Sequence, residues 1–574
     1  MGNGERATGG ADTARTSTAS AAEGSPAAAT PPSPSVAGEA APAAHGSDFL
    51  QLDVAGAPLG GKADWLARHL RHAMADGRLA VGAKLPPTRV LAAELGVSRG
   101  VVTEAYRRLT EDGHVEGRRR GGTTVVAVPL TPSPTPSGPG SPRGRRDGRL
   151  GTAAPCSVFT GDPGPDAFDA LRAATARIDL TPGQPDLSAF PRAAWLRAER
   201  DVLAGLSAED LGYGDPRGAP RLRHAVADWL ARSRGIRVEP DDILIVAGTA
   251  QALTLLHPVL RAHGVDNVAV EDPGSLGTRQ HLLNGGLTTP PVPVDEDGLR
   301  VDALRATGAP AVLVTPAHQF PTGAVTSGER RRELLRWAAD GGLIVEDDYD
   351  AEHRYDRPPV PALRSVYADR VCYLGSVSKL LAPALRIGWM VPPPRFRKEL
   401  ADAKRFTDLG NAVLPQLVLA RLMESGRLER HLRLLRGRHV RRRDAMIDAL
   451  AAHLPGAVVH GAAAGLHLTV TYPQEVPDTE LAAAALARGV KCQPLSWHRQ
   501  LPGRPGLVLG YAAGPSGAVA EGVELLGRTL RELTRTPSRP AATGTGAGTG
   551  TGTGTGIGIG IGIGIGQTVS GGTG

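Results

Sequence analysis

Apolar positions follow no period at either end of this 574-residue chain. Residues 1–48 are mostly Ala, Gly, Ser, Thr and Pro, and 536–574 run through Thr-Gly and Ile-Gly repeats. Both read as disordered tails with too little to bury. Between 49 and 128 the period turns helical. Trp65, Leu66, His69, Leu70 and Met74 share one helical face, which Gly77 ends. A turn through Leu85-Pro86-Pro87 leads to a helix starting at Thr88, with Val90, Leu91 and Leu95 as its apolar side. Gly96-Val97-Ser98 is a tight turn with a serine N-cap. A third helix runs from Arg99 through Val102, Tyr106 and Leu109. His114–Glu116 and Thr123–Val128 read as two strands, with Arg118-Arg119-Arg120-Gly121-Gly122 as a wing between them. Two helices joined by a Gly-bearing turn predict a helix-turn-helix.

The period is lost again over 129–176, a stretch rich in Pro, Gly, Ser and Arg that reads as a linker. From 177 to 535 short apolar runs alternate with helical stretches. Ile243–Val246, Val268–Val270, Ala311–Val314, Leu343–Val345 and Val371–Leu374 read as buried strands. That alternation predicts a mainly parallel sheet covered on both faces. A smaller α+β part is expected from about Glu480, with Leu507–Tyr511 as a late strand.

Charge changes the picture in one place. The chain carries a formal +7. Residues 49–128 hold twelve Lys/Arg against eight Asp/Glu, an excess of four. Arg89, Arg99, Thr103 and the wing arginines Arg118, Arg119 and Arg120 fall where a helix-turn-helix meets phosphates and base edges. The three cysteines, Cys156, Cys372 and Cys492, have no metal spacing, which suits a reducing compartment. No apolar h-region opens the sequence and no run is long enough to span a bilayer, so a cytoplasmic protein is expected.

Candidate chemistry clusters after the strands of the long unit. Val371–Leu374 breaks into Gly375-Ser376-Val377-Ser378-Lys379, and Arg386 follows. Lysine is scarce: the others are Lys62, Lys84, Lys398, Lys404 and Lys491. A partly buried lysine is the nucleophile for an imine with an aldehyde cofactor, and the serines and arginine are donors for its phosphate. Gly248-Thr249-Ala250 opens a helix after a strand and offers amides to the same phosphate. Glu346-Asp347-Asp348-Tyr349 supplies a carboxylate for a protonated pyridine nitrogen and a phenol for the ring oxygen. His318 and Gln319 read equally as effector contacts or as loop packing.

Two resemblances follow. Leu85-Pro86-Pro87-Thr88-Arg89, Leu91-Ala92, Leu95-Gly96-Val97-Ser98-Arg99 and Ala105-Tyr106 with Leu109 resemble the GntR-type winged helix. That resemblance implies DNA contacts from Arg89, Ser98 and Arg99. Pro182–Asp186, Phe190-Pro191, Tyr213–Gly218, Thr315–Gly323, Glu346–Asp350 and Ser376–Arg386 resemble the fold-type I aminotransferases that bind pyridoxal 5′-phosphate (PLP). Together the two halves resemble the MocR/GabR regulators. The fold implied is an N-terminal winged helix-turn-helix joined to a large α/β aminotransferase-like domain with a smaller C-terminal α+β part.

The family's roles fall on Lys379 as the imine lysine, Asp347 at the pyridine nitrogen and Tyr349 at the ring oxygen. Thr249, Ser376, Ser378 and Arg386 fall at the phosphate. Tyr213 is implied to reach the phosphate of the partner subunit's cofactor in a head-to-tail homodimer. Two positions depart from the pattern. Ser275 stands where the family often stacks a tyrosine on the ring, and Val508 where aminotransferases carry the arginine for a substrate carboxylate, with Arg504 nearby in a loop. The implied function is a PLP-dependent transcriptional regulator of operator DNA, sensing PLP, a small amine or an amino acid. An active aminotransferase with an appended DNA module, and a regulator whose large domain only dimerises, are the alternatives.

Overall fold

The computed structural model describes residues 57, 61–75, 78–111, 113–118, 122–126, 158–355 and 360–535. The two tails, most of the linker, and Arg119 and Arg120 of the wing lie outside them. The N-terminal unit has helices Lys62–Ala75, Thr88–Glu94 and Arg99–Glu111, as the periodicity predicts. Its strands β1 (Lys84–Leu85), β2 (Val115–Arg118) and β3 (Gly122–Val125) pair antiparallel in the order β1-β3-β2. His114 precedes the strand expected to include it. Leu66, Leu70, Met74, Leu91, Val102 and Leu109 close one small core.

The stretch 158–176, expected within the linker, is folded. Phe159 stacks on Trp497 with ring centroids 5.4 Å apart. Helix Ala167–Ala173 buries Ala167 and Leu171. β4 (Ile178–Asp179) then awaits a strand more than 300 residues on, and this distance in sequence is why local pattern missed it.

Eight strands form the central sheet: β5 (Leu244–Val246), β6 (Ala269–Asp272), β7 (Pro291–Asp295), β8 (Gly298–Leu299), β9 (Ala311–Val314), β10 (Leu343–Asp348), β11 (Val371–Ser376) and β12 (Gly388–Val391). Their order is β5-β12-β11-β10-β9-β6-β7-β8. The middle is parallel, with β10 between β9 and β11. β12 runs antiparallel to both β11 and β5, and β8 to β7, so the sheet is mixed rather than parallel to its edges. The reason is connection length. β11 and β12 are joined by residues 377–387 alone, too few for a crossover helix. Cores on both faces cover the sheet, one holding Ile245, Tyr373 and Trp389 and another Val246, Leu313 and Leu374.

The smaller part begins well before Glu480. After the long helix Arg427–His453 come β13 (Val458–His460), β14 (His467–Thr471), β15 (Val490–Lys491), β16 (Gln493–Pro494) and β17 (Gly506–Gly510). They form a four-stranded sheet β13-β14-β17-β16 and a pair β15-β4. Helix Ser516–Arg535 packs across them, burying Val519, Val523, Leu526 and Leu530. Phe159, Ile178 and Leu180 belong to this same core. No helix among the described residues is long and apolar enough to cross a membrane.

Candidate functional site

Carboxylates at the end of β10 are sorted by the strand's alternation. Glu346 and Asp348 face one side and are absorbed by structure. Glu346 accepts from Leu363 N at 2.9 Å and Arg364 N at 3.0 Å. Asp348 pairs with Arg234 and accepts from Tyr373 Oη at 2.7 Å. Asp347 faces the other side, into a cavity of about 670 Å³. Its carboxylate takes one long hydrogen bond, from Thr249 Oγ1 at 3.3 Å. Burial first, then the charge of Asp348, push its pKa up to about 7.

Lys379 follows the neighbouring strand β11 into the same cavity. Its Nζ donates to Gly183 O. Gly183 has φ +81°, which favours glycine, and a Cβ there would lie 3.1 Å from Nζ, close enough to displace the lysine tip slightly. Burial lowers the pKa of Lys379, opposed by the charges of Asp350 and Asp347. The neutral amine, the nucleophilic form, is thereby favoured.

Opposite, Gly248 (φ +85°) turns the chain into helix Thr249–Ala262. A Cβ on Gly248 would sit 3.4 Å from the Arg386 guanidinium, so a small cradle of helix amides stays open beneath the cation. Arg386 donates to Ala247 O and is itself left-handed, φ +50°, a conformation that costs about 1–3 kcal/mol in a non-glycine residue and clusters at ligand sites. Ser376 Oγ accepts from Ser378 N at 3.4 Å.

Thr249, Ala250, Asp347, Tyr349, Ser376, Ser378, Lys379 and Arg386 all line this one cavity. Tyr213 does not: it is 97% exposed, beside Leu409 in a separate surface cleft. Tyr349 Oη lies 2.9 Å from His318 Nδ1, which lies 2.9 Å from Asp350 Oδ2. Burial and nearby carboxylates hold the phenol well above its ordinary pKa, hence protonated. Gln319 is fully buried, its Nε2 donating to Pro273 O at 2.9 Å and its Oε1 accepting from Thr322 N at 3.0 Å. Of the two readings for His318 and Gln319, loop packing and support of Tyr349 describe them; neither lines the cavity.

Across from Lys379 the departures stand out. Ser275 caps helix Leu276–Asn284, accepting from Thr278 N at 3.2 Å. Phe320 lines the cavity there, edge-on to Tyr349 at 6.0 Å and to His498 at 5.0 Å. Val508 is buried in β17 between Thr469 and Gln493, and Arg504 lines a different cleft. Sequence reasoning missed Phe320, His467, Lys491, Gln493 and His498 as cavity residues; the scarcity of lysine was the one available signal, for Lys491.

The DNA candidates lie on the other unit. Arg89, Ser98, Arg99 and Thr103 are exposed, and Arg118 ends β2. Arg99 Nε donates to Thr88 Oγ1 at 3.4 Å, joining the two helix starts. Tyr106 Oη donates to Pro86 O at 2.8 Å and fixes the preceding turn. The units touch. Arg438 and Arg442, one turn apart on helix Arg427–His453, hold buried Asp186 at 3.1 and 3.0 Å. Arg438 Nη2 also donates to Thr110 O at 2.8 Å, near the end of helix Arg99–Glu111.

An aldehyde cofactor with a phosphate and a pyridine nitrogen fits these residues. Asp347 is a buried carboxylate with no cation within ion-pair distance among the described residues, the arrangement a protonated ring nitrogen completes.

A family model described as aminotransferase class I and II matches residues 175–523, and one described as bacterial regulatory proteins, gntR family, matches 62–125. The chain is 33% identical over 472 residues to a probable rhizopine catabolism regulatory protein, MocR, of Rhizobium meliloti, covering 80% of this chain and 92% of that one. It is 31% identical over 452 residues to the HTH-type pyridoxine biosynthesis transcriptional regulator PdxR of Corynebacterium glutamicum, covering 78% and 91%. The large unit resembles a multiple substrate aminotransferase from Thermococcus profundus, with TM-score 0.58 and 30% identity over 64% of this chain and 94% of that one.

Proposed function

We propose a function from one premise: the chain belongs to the MocR-type family, in which a GntR-family DNA-binding domain is joined to an aminotransferase class I and II domain. It is a PLP-dependent, DNA-binding transcriptional regulator. The proposal concerns which residues do this and what they sense. PLP supplies an aldehyde that condenses reversibly with primary amines on an electron-withdrawing ring. Lys379 is the amine that holds it. Asp347 keeps the ring nitrogen protonated, and Tyr349, kept protonated itself, donates to the ring oxygen. The amides of Thr249 and Ala250, the hydroxyls of Thr249, Ser376 and Ser378, and Arg386 hold the phosphate. Arg89, Ser98, Arg99, Thr103 and Arg118–Arg120 meet the operator. The observation that carries this reading is the meeting of half-buried Lys379, buried Asp347 and the Gly248–Arg386 cradle in one cavity.

The domain holding the cofactor acts as a sensor of PLP or of an amine that reacts with it. Valine at 508 favours sensing over turnover, because a substrate carboxylate finds no arginine on that strand. A ligand shifts operator affinity only if the two states bind it differently. A route for that difference runs from Lys379 to Gly183, three residues along to Asp186, and through Arg438 to Thr110. Taking the cofactor requires Lys379 to give up its bond to Gly183.

The working form is a head-to-tail homodimer. Tyr213, Leu211, Leu203, Phe406 and Leu409 are exposed apolar side chains, and their burial against a second chain would bring Tyr213 to the partner's phosphate. The site of action is the cytoplasm, where operator DNA and reduced thiols such as Cys372 and Cys492 coexist.

The test is an absorbance spectrum of the full chain with PLP before and after borohydride, with the labelled peptide mapped. A bleachable band with the label on Lys379 is expected; a label on another lysine would remove the assignment.

A further inference from the structure

Behind Tyr349 stands a group of side chains that holding the cofactor does not use up. His318, Asp350 and His467 are all buried, and one donor atom from each lies within 4.8 Å of the other two. They come from three separate places: the loop after β9, the chain just past β10 and the start of β14. The two imidazole rings have centroids 5.2 Å apart. Asp350 and His467 line the cavity, so the group is reached from it. His467 Nε2 lies 3.1 Å from Pro321 O, and a carbonyl only accepts, so the ring proton sits on Nε2. Thr469 Oγ1 donates to the same carbonyl at 2.5 Å. That leaves His467 Nδ1 as a bare lone pair, with no hydrogen-bond partner among the described residues. A metal-binding histidine ordinarily donates its other nitrogen to a carbonyl in this way. His318 Nε2 is also buried without a partner. Among the described residues Asp350 has no Lys or Arg within ion-pair distance; its partner is His318 at 2.9 Å, a cation only when protonated. Orienting Tyr349 takes His318 Nδ1 and Asp350 alone and gives His467 no part. A buried carboxylate so placed is costly until a cation completes it.

We propose that His318, Asp350 and His467 bind a divalent transition-metal ion, of the zinc, cobalt and nickel class, in the wall of the cavity. Two imidazoles and a carboxylate suit these ions, whereas magnesium and calcium take oxygen ligands. Zinc bonds of about 2.0–2.2 Å set donors about 3.3 Å apart in a tetrahedron, so the widest contact closes by about 1.5 Å at most. Water from the cavity takes the remaining position.

Untagged full-length protein is stripped with a chelator, freed of unbound PLP, dialysed against Zn2+ and assayed by atomic emission. Roughly one tightly held ion per chain is expected, and excess Mg2+ or Ca2+ should not displace it. His467→Gln, which keeps a donor for Pro321 O, and Asp350→Asn should each weaken Zn2+ binding by about 100-fold or more. His263→Gln, in an exposed pair with Glu399, should leave it unchanged. X-ray absorption at the zinc edge of the wild-type protein needs no variant and should show two imidazoles and an oxygen ligand. Zn2+ held as tightly by His467→Gln as by wild type, Zn2+ lost with His263→Gln, a shell with fewer than two imidazoles, or no ion retained would each overturn the site.

Discussion

Arg89 and Arg99 stand in solvent over a small core to which they contribute nothing, whereas Lys379 and Asp347 are enclosed at the ends of strands whose cores surround them. One unit holds function outside its fold and the other inside it. In the function proposed above, the exposed cations act by number and placement. The buried pair is perturbed because water is excluded, with Lys379 pushed toward the neutral amine and Asp347 toward the neutral acid. Losses in the winged helix should therefore be additive and salt-dependent, and losses in the cavity all-or-none or pH-dependent. Arg438 touches both regions and is where the distinction should fail.

The largest effect sharpens the contrast. Lys379→Ala removes the only amine in reach of the Gly183–Asp347 end of the cavity among the described residues. The cofactor band and its borohydride-fixed label should vanish completely. The fold should be retained by circular dichroism, and operator affinity should no longer respond to PLP. Arg99→Ala is the reciprocal variant. It should lower operator affinity by about 10–100-fold and the slope of log K against log salt by about one, with the cofactor spectrum unchanged. A spectrum that moves in Arg99→Ala would mean that the two regions are not separable.

Arg438→Ala should break the contrast. It leaves Arg442 as the one arginine paired with Asp186, beside the bonds from Ser188 and Ala189, and cuts the contact to Thr110. Operator affinities of the PLP-loaded and PLP-free forms should converge to within about twofold, and stability should fall by about 1–3 kcal/mol for the half-broken buried ion pair. Electrophoretic mobility shifts with and without PLP check the first and urea titration the second. Retention of a full PLP effect on operator affinity would exclude this contact as the route.

How much of this was legible depended on whether neighbours in space were neighbours in sequence. The helix-turn-helix is local, so its helices fall where the apolar period puts them. Strand-end chemistry was legible because an uninterrupted apolar run that stops at Ser, Asp or Gly marks the edge of a buried sheet. Which of three acids faces the cavity was not legible from alternation alone: Glu346 and Asp348 are known to be structural only once Leu363, Arg364, Arg234 and Tyr373 are seen to engage them. Resemblance picked Asp347, and the register explains why. The far wall was illegible. Lys491 reaches the cavity because β15 pairs with β4 across more than 300 residues, and Gln493 because β16 pairs with β17; no local pattern carries the first. The same pairing hid Phe159 and helix Ala167–Ala173 inside an apparent linker.

Asp347→Asn should give the smallest effect and is the one that titrates. Folding raises this carboxyl from about 3.9 to about 7, with burial as the main cause and Asp348 next. A carboxyl with a raised folded pKa binds its proton more tightly in the native state. Its contribution to stability is therefore fully present below about pH 4 and is lost as pH climbs through about 7. Asparagine does not titrate. In the cofactor-free protein the melting temperature of wild type relative to Asp347→Asn should fall between about pH 4 and pH 7, by on the order of a few degrees. With PLP bound the sign reverses, because a protonated ring nitrogen stabilises the ionised carboxylate, and wild type should be the more stable protein at pH 8. Scanning calorimetry of both proteins with and without PLP gives the four curves. If the cofactor-free gap is flat with pH, Asp347 is not enclosed as described; if it slopes but PLP fails to reverse it, the carboxylate does not face the ring nitrogen, and the cavity must hold its cofactor by Lys379 and the Gly248–Arg386 cradle alone.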